Sequence, residues 1–177
     1  ATRALLRGEP RWWLAVGAVV GLGLANKHLV VLLLLGLAGG LLAVGPRDLF
    51  RSRWLWAGVA VALVLALPTF VYQATHGWPQ LTMAQALARR GGYEARTELV
   101  PLQLILLGLG LVPIWVAGLV ALLTRPAWRR VRALAVAYPV VLVVALLTGG
   151  RFYYTLGLVV VLFAAGCVPA IEWMGQR

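Results

Sequence analysis

The sequence predicts an all-α protein, a polytopic bundle of about six membrane-spanning helices. Of the 177 residues, 62% are hydrophobic and only 12% are charged, and the mean hydropathy is +0.91. A soluble protein needs more polar surface than this composition supplies. The charged residues also fall in short clusters between apolar runs, which is the pattern of a chain that crosses a membrane several times.

The apolar runs between these clusters give the predicted spans. Some runs are shorter than the roughly 20 residues that cross a bilayer, so we expect helices that end early at a recessed site or thin the membrane locally. All spans belong to one membrane domain over residues 1–177, because no linker or internal repeat separates them. The predicted spans are residues 12–25, 29–44, 54–71, 99–123, 134–147 and 152–171.

Lys27 interrupts an apolar stretch that otherwise runs over residues 12–44. A lysine at the centre of one spanning helix costs roughly 2.5 to 3.5 kcal/mol on insertion scales. Two interpretations avoid this cost. Either Lys27 faces a polar cavity inside the bundle, or the chain turns at Asn26-Lys27-His28 and two short spans meet at an aqueous face.

The basic residues favour the turn. With six spans, one side of the membrane receives eleven of the sixteen basic residues, and by the positive-inside rule that side is cytoplasmic. Both ends of the chain then lie in the cytoplasm and the Lys27 turn faces outward. An uninterrupted helix would invert every later connection. The five outer basic residues are Lys27, Arg89, Arg90, Arg96 and Arg151.

The net charge of +11 does not indicate a nucleic-acid ligand. Nucleic-acid binding proteins carry basic stripes with interleaved aromatic residues, whereas the clusters here are separated by apolar runs. The predicted partner is therefore the membrane.

The outer connection over residues 72–98 predicts an interfacial helix. Pro79 suits a first helical turn, no breaker interrupts residues 80–90, and Gly91-Gly92 supplies a stop. Such a helix lies at the membrane interface with its leucine and alanine side chains toward lipid or bundle. The alternative is a solvated connection without chemistry.

Four basic residues of the outer connections form a predicted site for a lipid phosphate or pyrophosphate. Arginine presents a planar fork of donors that matches phosphate oxygens, and lysine supplies a compact charge. The alternatives are a lysine that snorkels to the interface and arginines on a solvated face. The four residues are Lys27, Arg151, Arg89 and Arg90.

Aromatic and histidine residues near these cations predict a wall for a sugar or an isoprenoid. Gly149-Gly150 permits close backbone approach before Arg151, and aromatic rings follow directly. The alternative is an aromatic belt at the bilayer interface, which needs no ligand. The predicted residues are His28, His76, Trp78, Tyr153 and Tyr154.

Few residues in the outer connections could act as an acid or a base. Glu94 and Glu98 alone among the five acidic residues fall in outer connections, and we expect them to pair with Arg90 or Arg96. Two histidines without carboxylate partners at ligand spacing do not make a metal site, and the single Cys167 has no partner for a disulfide. His28 and His76 could serve as a base or donor, but the sequence leaves the catalytic residue unassigned and predicts no metal site.

Ordered sequence blocks extend over nearly the whole chain. They are GLGLANKH at residues 21–28, the segment LPTFVYQ at 67–73 followed by HGWP at 76–79, GRFYY at 150–154 and FAAG at 163–166. In this order they resemble bacterial membrane glycosyltransferases. They are similar to the dolichyl-phosphate-mannose protein mannosyltransferases and the lipid A aminoarabinose transferases of the GT-C fold.

The resemblance implies an inverting transferase that takes a sugar from a polyprenyl-phosphate donor, without a nucleotide sugar, at the outer face of the cytoplasmic membrane. The acceptor is a lipid, a glycan or a protein. Lys27 and Arg151 fall at basic positions of the family blocks, which implies contact with the donor phosphate. The resemblance leaves a divalent metal in the full-length protein open.

The family's acidic catalytic residues lie in the first large outer loop. We expect that segment to precede this chain, because Ala1 is not an initiator methionine and no equivalent loop is present. Two other functions fit the same composition. A transporter or flippase for a lipid-linked or anionic solute also places cations in the membrane, although no inverted repeat is visible. A non-catalytic helical scaffold is the third.

Overall fold

The computed structural model of the chain describes residues 2–27, 29–106 and 108–175. Every described element is an α-helix or a short 3-10 turn, which confirms the predicted all-α class. In the described residues the α-helices are α1 (Thr2–Leu6), α2 (Trp12–Asn26), α3 (Val30–Val44), α4 (Arg53–Thr75), α5 (Pro79–Leu106), α6 (Val112–Thr124), α7 (Ala133–Thr148) and α8 (Leu156–Gly175).

Several of these helices are suited to a membrane. Among the described residues, α4 and the segment Phe152–Gly175 are long and apolar enough to cross one alone. The bent pair Tyr93–Leu106 and Leu109–Thr124 gives a third candidate span. Three shorter apolar helices, α2, α3 and α7, accompany them. This is the helix content of a polytopic membrane protein, and the short helices match the short apolar runs of the sequence.

The predicted span over residues 99–123 is divided in the structure. Two helices replace it, and they are bent by 79° relative to each other. Gly108 lies at the break with φ 75°, in the left-handed region that glycine enters without steric cost. Hydropathy does not reveal this bend, because the apolar run continues through it.

The predicted interfacial helix is present and is followed by a second helical stretch. It begins at Pro79 and is interrupted at Gly91, as expected, and the second stretch of α5 continues to Leu106. Gly91 alone leaves the helical region, with φ −150° and ψ 18°. The helix is therefore kinked at this glycine, which is one of the residues where helix kinks commonly occur.

The chain forms two compact units, and each is described by itself. The first comprises Ala1–Leu32 and Pro46–Leu87, and the second comprises Leu33–Gly45 and Ala88–Arg177.

In the first unit, α2 and α4 run parallel at very close range. A Cβ atom at Gly17 would lie 2.0 Å from the carbonyl oxygen of Gly58, and one at Gly21 would lie 2.9 Å from that of Ala62. Small residues at such crossings let two backbones approach, as in other membrane helix pairs. Because the helices are parallel, Lys27 after α2 and His76 after α4 lie at the same end of this unit.

In the second unit, small residues again line the helix contacts. The carboxyl-terminal part of α3 packs antiparallel to α7, with Gly40 against the carbonyl of Ala133. Helices α6 and α8 run parallel, with Gly118 and Gly166 in mutual backbone contact. Van der Waals contact therefore holds these helices together, since apolar surface alone does not drive association in lipid.

An ion pair joins the ends of α6 and α8. The guanidinium of Arg125 donates two hydrogen bonds to the carboxylate of Glu172, one of them 2.9 Å long. The hydrogen bond to Glu172 raises the pKa of Arg125 above its ordinary value.

Candidate functional site

The loop that carries Arg151 is shaped by the two glycines before it. Gly149 ends α7 in the left-handed region, with φ 69° and ψ 33°. The N–H groups of Gly149 and Gly150 both donate to the carbonyl of Ala145. Gly150 is buried, and a Cβ atom there would lie 2.9 Å from the Tyr154 ring. Gly149 therefore permits the left-handed backbone conformation, and Gly150 permits close packing against the Tyr154 ring.

Arg96 fastens α5 to the end of α7. Its Nε and Nη2 groups donate hydrogen bonds of 2.9 and 3.0 Å to the carbonyl oxygens of Leu146 and Leu147. These carbonyls belong to the last turn of α7, where helical partners are missing and the helix dipole favours a cation. Arg96 therefore fixes the start of the Arg151 loop relative to α5.

The guanidinium of Arg151 lies beside the kink in α5. Its Nη2 atom is 3.8 Å from the position that a Cβ atom would take at Gly91. Arg89 and Arg90 precede this kink directly, and all three arginines are exposed. Three of the four residues predicted to bind phosphate therefore belong to one neighbourhood of the second unit.

The aromatic residues after Arg151 divide into packed and exposed rings. Phe152, Tyr153 and Tyr154 make successive edge-to-face contacts, with ring centroids 5.5 and 5.1 Å apart. Tyr154 is half-buried and covers Gly150, whereas Tyr153 is 42% exposed. Tyr153 is therefore the more accessible ring, and Tyr154 shapes the loop.

A buried polar pair joins α5 to the turn that follows Arg151. The side-chain amide of Gln103 donates to the Thr155 hydroxyl at 2.6 Å, and the two residues are only 2% and 1% exposed. The Thr155 hydroxyl also lies 3.3 Å from the carbonyl of Phe152, to which it donates. Neither residue was among those predicted from the sequence. The available signal was a glutamine inside an otherwise apolar run.

Lys27 ends α2 in the first unit. Its backbone is extended, with φ −147° and ψ 117°, and its N–H donates to the carbonyl of Gly23 at 2.7 Å. The next helix begins at Val30, so the helix interruption expected at Asn26-Lys27-His28 is present. The Lys27 side chain is exposed, and His28 lies outside the described residues.

His76 and Trp78 belong to the turn between α4 and α5, at the same end of the unit as Lys27. The His76 ring stacks on Tyr72 with centroids 4.0 Å apart, and its Nδ1 lies 2.9 Å from the Tyr72 carbonyl. Gly77 and Trp78 both have positive φ, 71° and 57°. For tryptophan this conformation costs roughly 1 to 2 kcal/mol. It leaves the indole 48% exposed.

Gln73 holds this turn from inside. Its backbone carbonyl accepts the Trp78 N–H at 2.8 Å, and its side-chain oxygen accepts the Gln80 N–H at 3.2 Å. The first bond closes the end of α4 and the second caps the start of α5. Gln73 is 4% exposed. Gln73 belongs to the sequence block at residues 67–73, but no role was predicted for it.

The expected pairing of the outer glutamates is wrong. Glu94 and Glu98 are exposed, and within the described ranges neither forms an ion pair with Arg90 or Arg96. Arg96 binds backbone carbonyls instead, because the end of α7 offers unpaired acceptors.

The described residues also contain no group of three His, Cys, Asp or Glu side chains able to hold a metal ion.

The comparison with known proteins covers the sequence block at residues 21–28 and residues 67–72 of the next block. Residues 1–72 match a family described as dolichyl-phosphate-mannose-protein mannosyltransferase. No curated protein and no solved structure matches significantly. The matched residues include α2, Lys27 and most of α4. The predicted resemblance to this family is therefore confirmed over residues 1–72 of the 177.

Proposed function

We propose that the chain belongs to a membrane glycosyltransferase that transfers a sugar from a polyprenyl-phosphate donor to a lipid, glycan or protein acceptor. The proposed reaction takes place at the outer face of the cytoplasmic membrane. One observation carries the proposal. Arg151 lies beside Gly91, the residue that follows Arg90 in the chain, and neither arginine has an ion-pair partner within the described residues.

Unpaired guanidinium groups next to apolar helices suit a lipid phosphate. Arginine donors match phosphate oxygens in a planar fork, and the apolar helices suit the attached isoprenoid. The exposed ring of Tyr153 adds an apolar surface two residues from Arg151. The family match supports the transferase class rather than a transporter.

In the proposed chemistry, these arginines stabilise the leaving phosphate group. The bond between the anomeric carbon of the sugar and the phosphate oxygen breaks, and an acceptor hydroxyl oxygen bonds to that carbon. The electron pair of the broken bond goes to the phosphate, and Arg151 with Arg89 and Arg90 stabilises the added charge. The hydroxyl proton goes to a base that we do not assign to a residue of this chain.

Lys27, His76 and Trp78 form a second proposed group, in the first unit. Lys27 lies within the region that matches the family, and the parallel course of α2 and α4 brings it to the same end as His76 and Trp78. We propose that Lys27 contacts a lipid phosphate, and that the two rings contact a sugar or an isoprenoid. We propose that His28 also contacts the sugar or isoprenoid.

Charge removal at Arg151 tests the proposal. In the intact protein, Arg151→Gln is expected to lower kcat/KM for the polyprenyl-phosphate sugar by about 10- to 100-fold, because a charged hydrogen bond contributes roughly 1.5 to 3 kcal/mol. Arg151→Lys, which keeps the charge but loses the fork, is expected to have an intermediate value. Sugar transfer is measured with purified protein and a synthetic donor.

Arg129→Gln is the matched control. Arg129 is exposed in the 3-10 turn Pro126–Val131, on the side that the charge distribution predicts to be cytoplasmic. This variant loses the same charge and is expected to keep its activity. Equal activity in Arg151→Gln and Arg129→Gln would reject Arg151 as a phosphate ligand.

A further inference from the structure

A recess at the opposite end of the first unit has a distinct chemistry. Helices α2 and α4 are parallel, so their first residues lie together at the end away from Lys27. The recess between these residues has a volume of about 450 Å³. Its lining residues are Glu9, Pro10, Arg11, Trp12, Arg53 and Trp54. None of them belongs to the proposed transfer site.

Two arginines of the recess share one indole ring. The guanidinium carbons of Arg11 and Arg53 lie 5.7 and 5.5 Å from the centroid of the Trp54 ring. Cation–π attraction holds both groups at the ring. Neither arginine has an ion-pair partner in the part of the chain that the structure describes. Both guanidinium groups therefore add positive charge to the recess, and an anion bound there would be attracted to both.

Glu9, the acidic residue of the lining, is already engaged. Its carboxylate accepts a hydrogen bond of 2.6 Å from the indole N–H of Trp12. The guanidinium carbon of Arg3 lies 4.9 Å from the centroid of the same Trp12 ring. With two arginines against one glutamate in the lining, and Arg3 beside it, the recess has a net positive charge.

We propose that this recess binds the phosphate of an anionic membrane lipid. Arginine forks match the phosphate oxygens, and Trp12, 41% exposed, offers the amphipathic ring that membrane proteins place at headgroup level. The recess lies at the arginine-rich end of the helices, which the positive-inside rule assigns to the cytoplasm. Anionic lipids concentrate in that leaflet. This site is separate from the proposed donor site.

Lipid binding by the intact protein in detergent tests the inference. Short-chain phosphatidylglycerol is titrated and bound lipid is counted by native mass spectrometry, with phosphatidylcholine as the zwitterionic comparison. The double variant Arg11→Gln/Arg53→Gln is expected to bind phosphatidylglycerol on the order of tenfold more weakly than the unaltered protein. Binding of phosphatidylcholine is expected to be weak and unchanged.

A second double variant distinguishes binding in the recess from general attraction of the anionic lipid to nearby positive charges. Arg47→Gln/Arg51→Gln removes the same charge from the neighbouring 3-10 turn Arg47–Arg51, whose arginines do not line the recess. Its affinity for phosphatidylglycerol is expected to fall by no more than about threefold, because charges outside the recess act only through screened attraction. Equal losses in the two double variants would overturn the proposal.

Two further measurements fix the ligand and exclude misfolding. Inorganic phosphate that displaces the lipid at equal concentration would assign the recess to free phosphate and overturn the lipid proposal. Arg11→Lys/Arg53→Lys keeps the charges and is expected to bind with intermediate strength at an unchanged unfolding temperature. Because sugar transfer is not a readout, failure of the proposed transferase would leave this result unaffected.

Discussion

The Nε group of Arg96 donates a hydrogen bond to the carbonyl oxygen of Leu146 across 2.9 Å. The two residues are 50 positions apart in the chain. Their bond ties the second half of α5 to the last turn of α7, and the loop that carries Arg151 begins three residues after Leu146. The position of Arg151 beside the Gly91 kink therefore depends on a residue that the sequence analysis assigned to an ion pair.

Loss of the Arg96 side-chain donors is expected to weaken this junction. Arg96→Met leaves two helix-end carbonyls without a charged donor, and the free energy of unfolding is expected to fall by about 1 kcal/mol, since the site is exposed. Unfolding followed by circular dichroism in detergent measures the change. Arg129→Met, on an exposed turn, is the control. Identical unfolding of the two variants would contradict a capping role for Arg96.

The contact between α6 and α8 is expected to exclude any side chain at Gly118. A Cβ atom there would lie 1.8 Å from the carbonyl oxygen of Leu162, so the helices must separate. We expect Gly118→Ala to lower the free energy of unfolding by about 1 to 3 kcal/mol. Gly157→Ala is the control, because nothing lies within 4 Å of that position, and it is expected to be neutral or stabilising. Comparable losses in both variants would argue against the close contact.

The buried pair of Gln103 and Thr155 is expected to behave as one unit. Gln103→Leu or Thr155→Val alone leaves a buried polar group without its partner, which is expected to cost about 1 to 3 kcal/mol. The double variant is expected to cost clearly less than the sum, because no orphaned group remains. A double-mutant cycle of unfolding free energies measures this coupling. Additive losses would show that the two side chains do not interact.

The left-handed backbone at Trp78 predicts a difference between two truncations. Trp78→Gly and Trp78→Ala both remove the ring, but only glycine adopts φ 57° without a Cβ clash. We expect the glycine variant to be more stable than the alanine variant by about 1 kcal/mol. If the ring contacts the sugar or isoprenoid, both variants lose transfer activity alike. Equal stability would mean that the strain at Trp78 is absent.

Local features of the fold were predictable because their causes are local. Lys27 marks the end of α2 because a charge is costly within an apolar helix, and Pro79 marks the start of α5 because proline suits a first helical turn. Gly149 and Gly150 were expected to allow close backbone approach, and they do so for the same steric reason. The all-α class follows from the length and number of the apolar runs.

The candidate site was predictable only as a set of residue types. Arginines and aromatic rings in outer connections indicate phosphate and sugar chemistry wherever they meet in space. The sequence does not reveal that Arg151 lies beside Gly91, or that Arg96 binds the end of α7, since these partners are about 50 to 60 residues apart and no local pattern links them.

The sequence alone determined that this chain is a helical membrane protein, where most helices begin and end, and which family its first 72 residues resemble. Tertiary structure decided that a second helical stretch follows the kink at Gly91, that Gly108 divides an apolar run, and that Gln103 meets Thr155. The physical reason is how far apart in the chain the interacting residues lie. Helix formation depends on solvent and neighbouring residues, whereas bends and buried polar pairs depend on atoms that folding brings from distant parts of the chain.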